Sequence, residues 1–326
     1  MHNQLQLYNF LNICHFLVLA DRASPMATRL PLTEVHSLCV RALTRSGVFS
    51  ESSTAIANII RDAERDGCKS HGLFRLPGYC EAVRMGKVDP LAEPVVTGGD
   101  GSSSIVHVDA ARGFAPLAFQ RGLPSLVDAT RRSGVGLMVL SNQFHFSALW
   151  HEVEALADEG LAGLSFLNTK AFVAHHGGSQ RIYGTNPMAF GFPRPAECGP
   201  PLLWDQAAAT MARGEISLVQ QAGERLPPGV GIDANGAPTD DPQAALDGAQ
   251  LTFAGAKVCS SPAARPLTRL HFCGHRLRPT LSCTPLNHLR LPSNPLAGSA
   301  LSRAGHLHCD DGGAPVRGHD REQLLV

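Results

Sequence analysis

Ser70-His71-Gly72-Leu73-Phe74-Arg75 sets an imidazole four residues ahead of a guanidinium. On a helix, positions i and i+4 share a face, so the two side chains would point the same way. Imidazole exchanges protons near neutral pH, and guanidinium offers a planar fork that matches a carboxylate. Such a pair suits chemistry on a small acid. Ser70 is a good helix-start residue, and a helix N-terminus itself attracts anions. Taken alone, the same residues also suit an ordinary surface helix.

Other stretches carry related chemistry. His145 stands in Phe144-His145-Phe146-Ser147-Ala148-Leu149-Trp150, directly after a run that reads as a buried strand. Ligand sites of α/β proteins favour the carboxyl ends of strands. A core or capping histidine fits that place equally well. Gly184-Thr185-Asn186-Pro187 has the composition of a turn. Leu202-Leu203-Trp204-Asp205 reads as a strand ending in an acid, and Arg213-Gly214-Glu215 adds a carboxylate able to orient a histidine. His175 and His176 are adjacent, so they face different directions and make a poor metal site. Cys273, His275, Cys283 and His288, like His306, His308 and Cys309, match no structural zinc spacing. No metal is assigned.

The elements that must position these groups follow from apolar spacing. Thr33 is the expected cap of a helix that buries Val35, Leu38, Cys39, Ala42 and Leu43. Ser50 or Ser52 caps a second, with Ile56, Ile59, Ile60 and Ala63 inward and Gly67 at its end. Ser70 opens a third, which stops near Gly86. Ile105–Val108, Val135–Leu140 and Leu161–Leu167 read as strands, the last two buried. Phe146–Asp158 reads as a helix with Phe146, Leu149, Trp150, Val153 and Leu156 as its stripe. Strands alternating with helices give an α/β class. No GxGxxG follows a strand, so an ordinary dinucleotide-binding turn has no support.

The chain has 326 residues, enough for one large domain or two ordinary ones. Lys and Arg number 28, as do Asp and Glu, which argues against a dedicated nucleic-acid surface. No apolar run reaches the ~18 residues of a membrane helix. Nine cysteines without a CxxC read as reduced thiols in a cytoplasmic protein. Residues 1–25 stand apart as a leader. Phe16-Leu17-Val18-Leu19-Ala20 resembles a signal core, but no Lys or Arg precedes it. The favoured reading starts the protein at Met26.

Val258–Val326 differs in kind. It holds seven prolines, eight arginines, no lysine and a single aromatic residue, Phe272. Its apolar residues keep no period, so ordering entropy is hard to offset and a largely irregular tail is expected.

Together the motifs resemble the type-2 malate/L-lactate dehydrogenase family, and within it the reductases of Δ1-piperideine-2-carboxylate and Δ1-pyrroline-2-carboxylate. The resemblance spans roughly Leu30 to Lys257. It rests on Arg65-Asp66-Gly67, Ser70 through Tyr79, His145 through Trp150, Gly184 through Gly191, Leu226 through Gly231 and Phe253-Ala254-Gly255-Ala256-Lys257. It implies a non-Rossmann α/β fold with an N-terminal helical region, a homodimer, and NADPH or NADH as cofactor. By position, His71 is the proton donor, Ser70 its relay partner, Arg75 the holder of the substrate carboxylate and Thr185 a substrate contact. His145, Phe146, Ser147, Ala148, Leu149, Asp205, Gln206 and Ala207 line the cofactor, and Ala256 and Lys257 begin its next segment. The family's acidic relay falls on Glu215, where an Asp is common in the reductases. The implied activity is NAD(P)H-dependent reduction of cyclic imino acids to pipecolate and proline. The alternatives are a 2-hydroxy-acid (malate/lactate-type) dehydrogenase, or an inactive relative lacking the family's C-terminus.

Family members continue after the lysine with Gly-Ser and a long apolar helix; here Val258-Cys259-Ser260-Ser261-Pro262 follows. A reading-frame shift near Lys257 accounts for the change. The coding DNA beyond that codon is expected to yield family-like text in one of the other frames; sequencing that finds none in either would reject the shift.

Overall fold

The computed structural model describes residues 29–101 and 103–255, and the backbone of 324–325. Helices α1 (Leu32–Arg45) and α2 (Ser50–Arg65) come first. Both start earlier than the cap residues Thr33 and Ser50 or Ser52 suggest, with Pro31 and Phe49 at the N-cap positions and no side-chain cap. Their inward stripes Val35, Cys39, Leu43 and Ile56, Ala57, Ile60 meet Leu76, Tyr79 and Phe114 in one apolar cluster. Packing of those stripes, rather than capping, anchors the pair.

The expected third helix is replaced over its first two turns. Lys69–His71 and Leu73–Arg75 are short 3-10 turns broken at Gly72, and only Leu76–Arg84 is α-helical (α3). Gly72 fills a tight place: a Cβ there would lie 2.1 Å from Glu64 Oε1. That carboxylate also accepts the Leu73 N–H at 2.7 Å. The segment is therefore pinned to α2 and cannot relax into a regular helix.

Strands β1 (Val95–Gly98), β2 (Ile105–Asp109) and β3 (Leu137–Ser141) follow, with α4 (Ala115–Ser133) between the last two. The expected strand at Val135–Leu140 thus begins two residues later. Helix α4 escapes the sequence pattern because Pro116, Gly122 and Pro124 interrupt it. Its Gly122 is needed for close approach: a Cβ would lie 2.4 Å from Met138 Sδ. Next come α5 (Trp150–Asp158), β4 (Gly163–Leu167), β5 (Val173–Ala174), β6 (Arg181–Tyr183), β7 (Met188–Phe192) and β8 (Leu202–Gln206). Helix α6 (Arg213–Ala222), β9 (Gly231–Ile232), β10 (Pro238–Thr239), α7 (Pro242–Asp247) and β11 (Ala249–Gln250) complete the continuous part.

Two sheets result. The larger has the order β1-β2-β3-β12-β4-β7-β8, where β12 is Leu324–Leu325; the smaller runs β10-β9-β11-β5-β6. β2 and β3 are parallel, whereas β12 is antiparallel to both β3 and β4. The tail expected to be irregular therefore ends in a strand at the centre of the sheet; its remaining residues, like the leader at 1–25, lie outside the described ones.

Register explains how α5 sits. Gly163 pairs with Gly191, and Gly191 with Leu203, so two glycines lie side by side under the helix. A Cβ on Gly191 would come within 2.5 Å of the Val153 carbonyl oxygen, and one on Gly163 within 2.6 Å of Leu156 Cδ1. The opposite face carries the row Leu164–Phe190–Trp204 and the pair Phe192–Leu202. It is open, with Leu164 48% and Trp204 42% exposed; β4 is thus buried on one face only, not on both.

Because backbone, not a flexible side chain, fills the space over Gly191, Gly191→Ala is expected to lower stability by roughly 1–3 kcal/mol. Urea unfolding checks this, and an unchanged midpoint would contradict the packing described.

Candidate active site

The 3-10 turns do what a helix was expected to do, by another route. Arg75 folds back so that Nε donates to the Ser70 carbonyl at 2.7 Å. Its guanidinium carbon stands 4.5 Å from the centre of the Phe146 ring. Phe146 in turn packs edge-on against Tyr79, which packs against Phe114. The fork thus rests on an aromatic platform, with Nε tied to the residue beside His71. Gly78 leaves room for this platform, since a Cβ there would meet the Phe146 ring at 2.5 Å.

His71 presents Nδ1 to Ser70 Oγ at 3.1 Å and to Cys68 Sγ at 3.5 Å. Nε2 makes no hydrogen bond to the described residues, which leaves it for a reacting molecule. Burial pushes the imidazole pKa down to about 3, helped by the charge of Arg75 and by His145 and His151. His71 is therefore a neutral ring at ordinary pH. Burial also lowers the pKa of Arg75, which remains cationic.

Helix α6 closes this group from another side. A Cβ on Gly214 would lie 3.0 Å from both Arg75 Nη2 and the Ser70 carbonyl oxygen. Only glycine at the helix start allows so close an approach. Glu215 comes with it, but Oε2 accepts the Ala212 N–H at 3.0 Å and caps α6. No hydrogen bond joins Glu215 to His71 among the described residues; its charge is felt at Cys68 instead.

The segment after β3 is irregular from Asn142 to Leu149, so the expected helix begins only at Trp150. Asn142 takes φ of 52° and donates to both carboxylate oxygens of Asp109 at 3.0 Å, which locks the carboxyl ends of β2 and β3 together. His145 is buried, and its Nε2 stands 3.3 Å from Glu152 Oε1. Asp205 commits one carboxylate oxygen to a helix start. Oδ2 accepts the N–H groups of Leu149 at 2.8 Å and Trp150 at 3.0 Å, capping α5 from β8. Burial raises the Asp205 pKa to about 6, and those two N–H bonds offset part of the rise.

Thr185 lies in a strained turn. Asn186 has φ of 33°, and Gly184 is crowded by Thr169, whose carbonyl oxygen would sit 2.3 Å from a Cβ. Thr169 staples the turn: Oγ1 accepts the Thr185 N–H at 2.8 Å and lies 3.0 Å from Thr185 Oγ1. The Thr185 carbonyl then accepts the Ala208 N–H at 2.7 Å, joining this turn to the segment after Asp205, Gln206 and Ala207. Thr169, Gly214 and Cys68 carry no motif by themselves, and sequence reasoning passed over them as site residues. A cavity of about 450 Å³ beside Ser50, Glu51 and Arg121 holds no candidate residue.

The chain matches the malate/L-lactate dehydrogenase family over residues 30–260. It belongs to that family. It is 48% identical over 231 residues to a Delta(1)-pyrroline-2-carboxylate reductase of Burkholderia multivorans, covering 71% of this chain and 67% of the relative. A Delta(1)-pyrroline-2-carboxylate/Delta(1)-piperideine-2-carboxylate reductase of Pseudomonas aeruginosa is 45% identical over 229 residues, 70% of this chain and 67% of the relative. Among solved structures, the delta1-piperideine-2-carboxylate reductase of Pseudomonas syringae superimposes with a TM-score of 0.66 at 38% identity, covering 71% of this chain and 69% of that one. The sulfolactate dehydrogenase of Methanocaldococcus jannaschii gives 0.61 at 28% identity, over 70% and 65%. The chain spans about two thirds of the length of the curated relatives it matches.

Family membership implies a nicotinamide cofactor, and the residues present fit one. Among the described residues, both amide atoms of buried Gln143 and the indole N–H of Trp150 lack a hydrogen-bond partner, at the two ends of the segment that carries His145 to Leu149. Such groups can be satisfied by ordered water or by a ligand that donates and accepts. Ala256 and Lys257 lie outside the described residues.

The buried charges give a pH signature. Asp205 has a folded pKa near 6 against an ordinary 3.8. Its contribution to stability therefore falls as pH rises from about 4 to 6. His71, at about 3 against 6.5, acts oppositely: its contribution is full above 6.5 and is lost as pH falls toward 3. Asp205→Asn cannot ionise, so its unfolding free energy is expected to rise more steeply with pH between 4 and 6 than that of the wild type. Equal slopes in urea titrations at several pH values would refute the assignment.

Proposed function

We propose that this chain reduces five- and six-membered cyclic imino acids, Δ1-pyrroline-2-carboxylate and Δ1-piperideine-2-carboxylate, at the expense of a nicotinamide cofactor. The observation that carries the reading is the pairing of a neutral, half-buried His71 with an Arg75 fork held by Ser70 and Phe146. The names of the relatives support the substrate class. When bound, the nicotinamide supplies a hydride to the carbon of the C=N bond.

The chain's own residues do the rest. Arg75 holds the carboxylate adjacent to that carbon, and its planar fork fixes which face of the ring is presented. The C=N electron pair moves to nitrogen, which takes a proton from His71 Nε2. Ser70, bonded at Nδ1, relays a proton back to the ring. Substrate binding readies this step: a carboxylate on Arg75 neutralises the charge that helps to depress the His71 pKa, so the imidazole holds a proton more readily when substrate is present. Thr185, on its stapled turn, faces the substrate, and His145 to Leu149 with Asp205 to Ala207 flank the cofactor.

We further infer that NADPH is preferred with NADH as an alternative, that the active form is a homodimer, and that the protein works in the cytoplasm. Among the described residues, no helix is long and apolar enough to cross a membrane.

Turnover of both cyclic imines, malate and lactate with each nucleotide tests the reading. His71→Ala is expected to lose at least about 10²-fold in kcat while cofactor affinity stays within about twofold. Arg75→Lys is expected to raise KM by about tenfold, since an ammonium cannot form the fork. Wild-type kinetics in either variant, or turnover of 2-oxo acids but not imines, would overturn the proposal.

A further inference from the structure

Two side chains converge on the same atom of His71. Ser70 Oγ reaches Nδ1 at 3.1 Å, and Cys68 Sγ reaches it at 3.5 Å. The second contact follows from local geometry. Residues i and i+3 of a 3-10 turn eclipse one another, and the turn that begins after Cys68 is closed by the His71 N–H donating to the Cys68 carbonyl at 2.9 Å. The backbone itself thereby brings the thiol to Nδ1. Gly67, at φ of 74°, sets up that turn by ending the helix before it.

We propose that Cys68 is a positioning residue for the proton-carrying histidine, holding His71 at Nδ1 together with Ser70 and filling the place that an acid would otherwise take there. The inference rests on His71 as the proton carrier. Three observations support it. Glu215, the acid of α6, is occupied in capping Ala212, and among the described residues no hydrogen bond joins it to His71. Ser70 is fixed, fully buried, with its carbonyl bound by Arg75. Cys68 is half-buried, and burial first of all pushes its thiol pKa up, so it is a neutral S–H rather than a thiolate. A neutral partner at Nδ1 orients the ring without charging it. A carboxylate there would pull a proton onto the ring and oppose its neutral resting state.

The test uses the full chain labelled with ¹⁵N-histidine. The His71 ring resonances are assigned by their loss in His71→Gln, and kinetics are measured in parallel. Cys68→Ala is expected to move the Nδ1 resonance and to lower kcat about tenfold, a fraction of the 10²–10⁴ typical of general acid–base catalysis, with KM within about twofold. Cys68→Ser is expected to restore kcat to within about threefold while its own Nδ1 resonance differs from wild type, because oxygen bonds more closely than sulfur. An unmoved Nδ1 resonance in Cys68→Ala overturns the proposal, as does failure of Cys68→Ser to restore kcat. A shift in Glu215→Gln as large as that in Cys68→Ala also overturns it, since the acid would then be the partner. If Cys68→Ala does not fold, Cys68→Ser alone decides, and an unmoved resonance is again fatal. If Nδ1 responds as expected but the wild type reduces no cyclic imine, the positioning stands and the proposed activity falls.

Discussion

The carboxylate of Asp205 is the joint on which this site turns. It stands at the end of β8 and accepts two N–H groups at the start of α5. Helix starts leave such donors unsatisfied, and none of the local side chains caps this one. The cap therefore comes from 55 residues away in sequence. Together with the Asn142–Asp109 bonds and the Phe144 backbone bonds to Gly113 and Ala115, that link fixes the segment from Asn142 to Leu149. Phe146 lies in that segment, and Arg75 rests on Phe146. The position of the guanidinium is thus set by a cap on a helix it never touches.

Close backbone approach is the second constraint. Gly214 lets α6 lie against Ser70 and Arg75, Gly78 lets Phe146 lie against α3, and Gly191 lets α5 lie against β7. At each place a methyl group would meet an atom well inside normal contact distance. The glycines contribute no chemistry, but each removes the distance that a side chain would impose. The left-handed Asn142 and Asn186 act in a related way. Each holds a sparsely populated backbone conformation, and each is tied by a side-chain bond, to Asp109 and to the Thr169 N–H respectively.

Much of this was legible in the sequence, for definable reasons. Apolar periodicity located α1, α2, β2 and β8, because each buries one stripe or face. The type and spacing of His71 and Arg75 were legible too, although the reason offered was incomplete. They come together through two 3-10 turns and a backbone bond, not along one helical face. A pattern of spacing cannot reveal that Glu64 pins Leu73 and forbids a regular helix. The same blindness hid α4, whose prolines and glycine disrupt the expected period, and Thr169, whose staple is visible only once two turns are adjacent in space. The capping role of Asp205 was likewise closed to sequence, because the helix start it caps lies 55 residues away.

The electrostatics of the pair argue for a site that is incomplete until an anion arrives. Among the described residues the terminal nitrogens of the half-buried Arg75 guanidinium make no hydrogen bond, and burial together with the Arg75 charge keeps His71 neutral. Had the protein supplied its own carboxylate, Arg75 would be satisfied and His71 would lose the cationic neighbour that helps to hold its pKa down. Glu215 and Asp205 are both close enough to be felt at Cys68, yet both are committed to helix caps. The fold therefore keeps its acids away from the fork and leaves that place to the substrate. A carboxylate entering there satisfies the guanidinium and releases the imidazole in one event, which couples recognition of the acid to readiness for proton transfer.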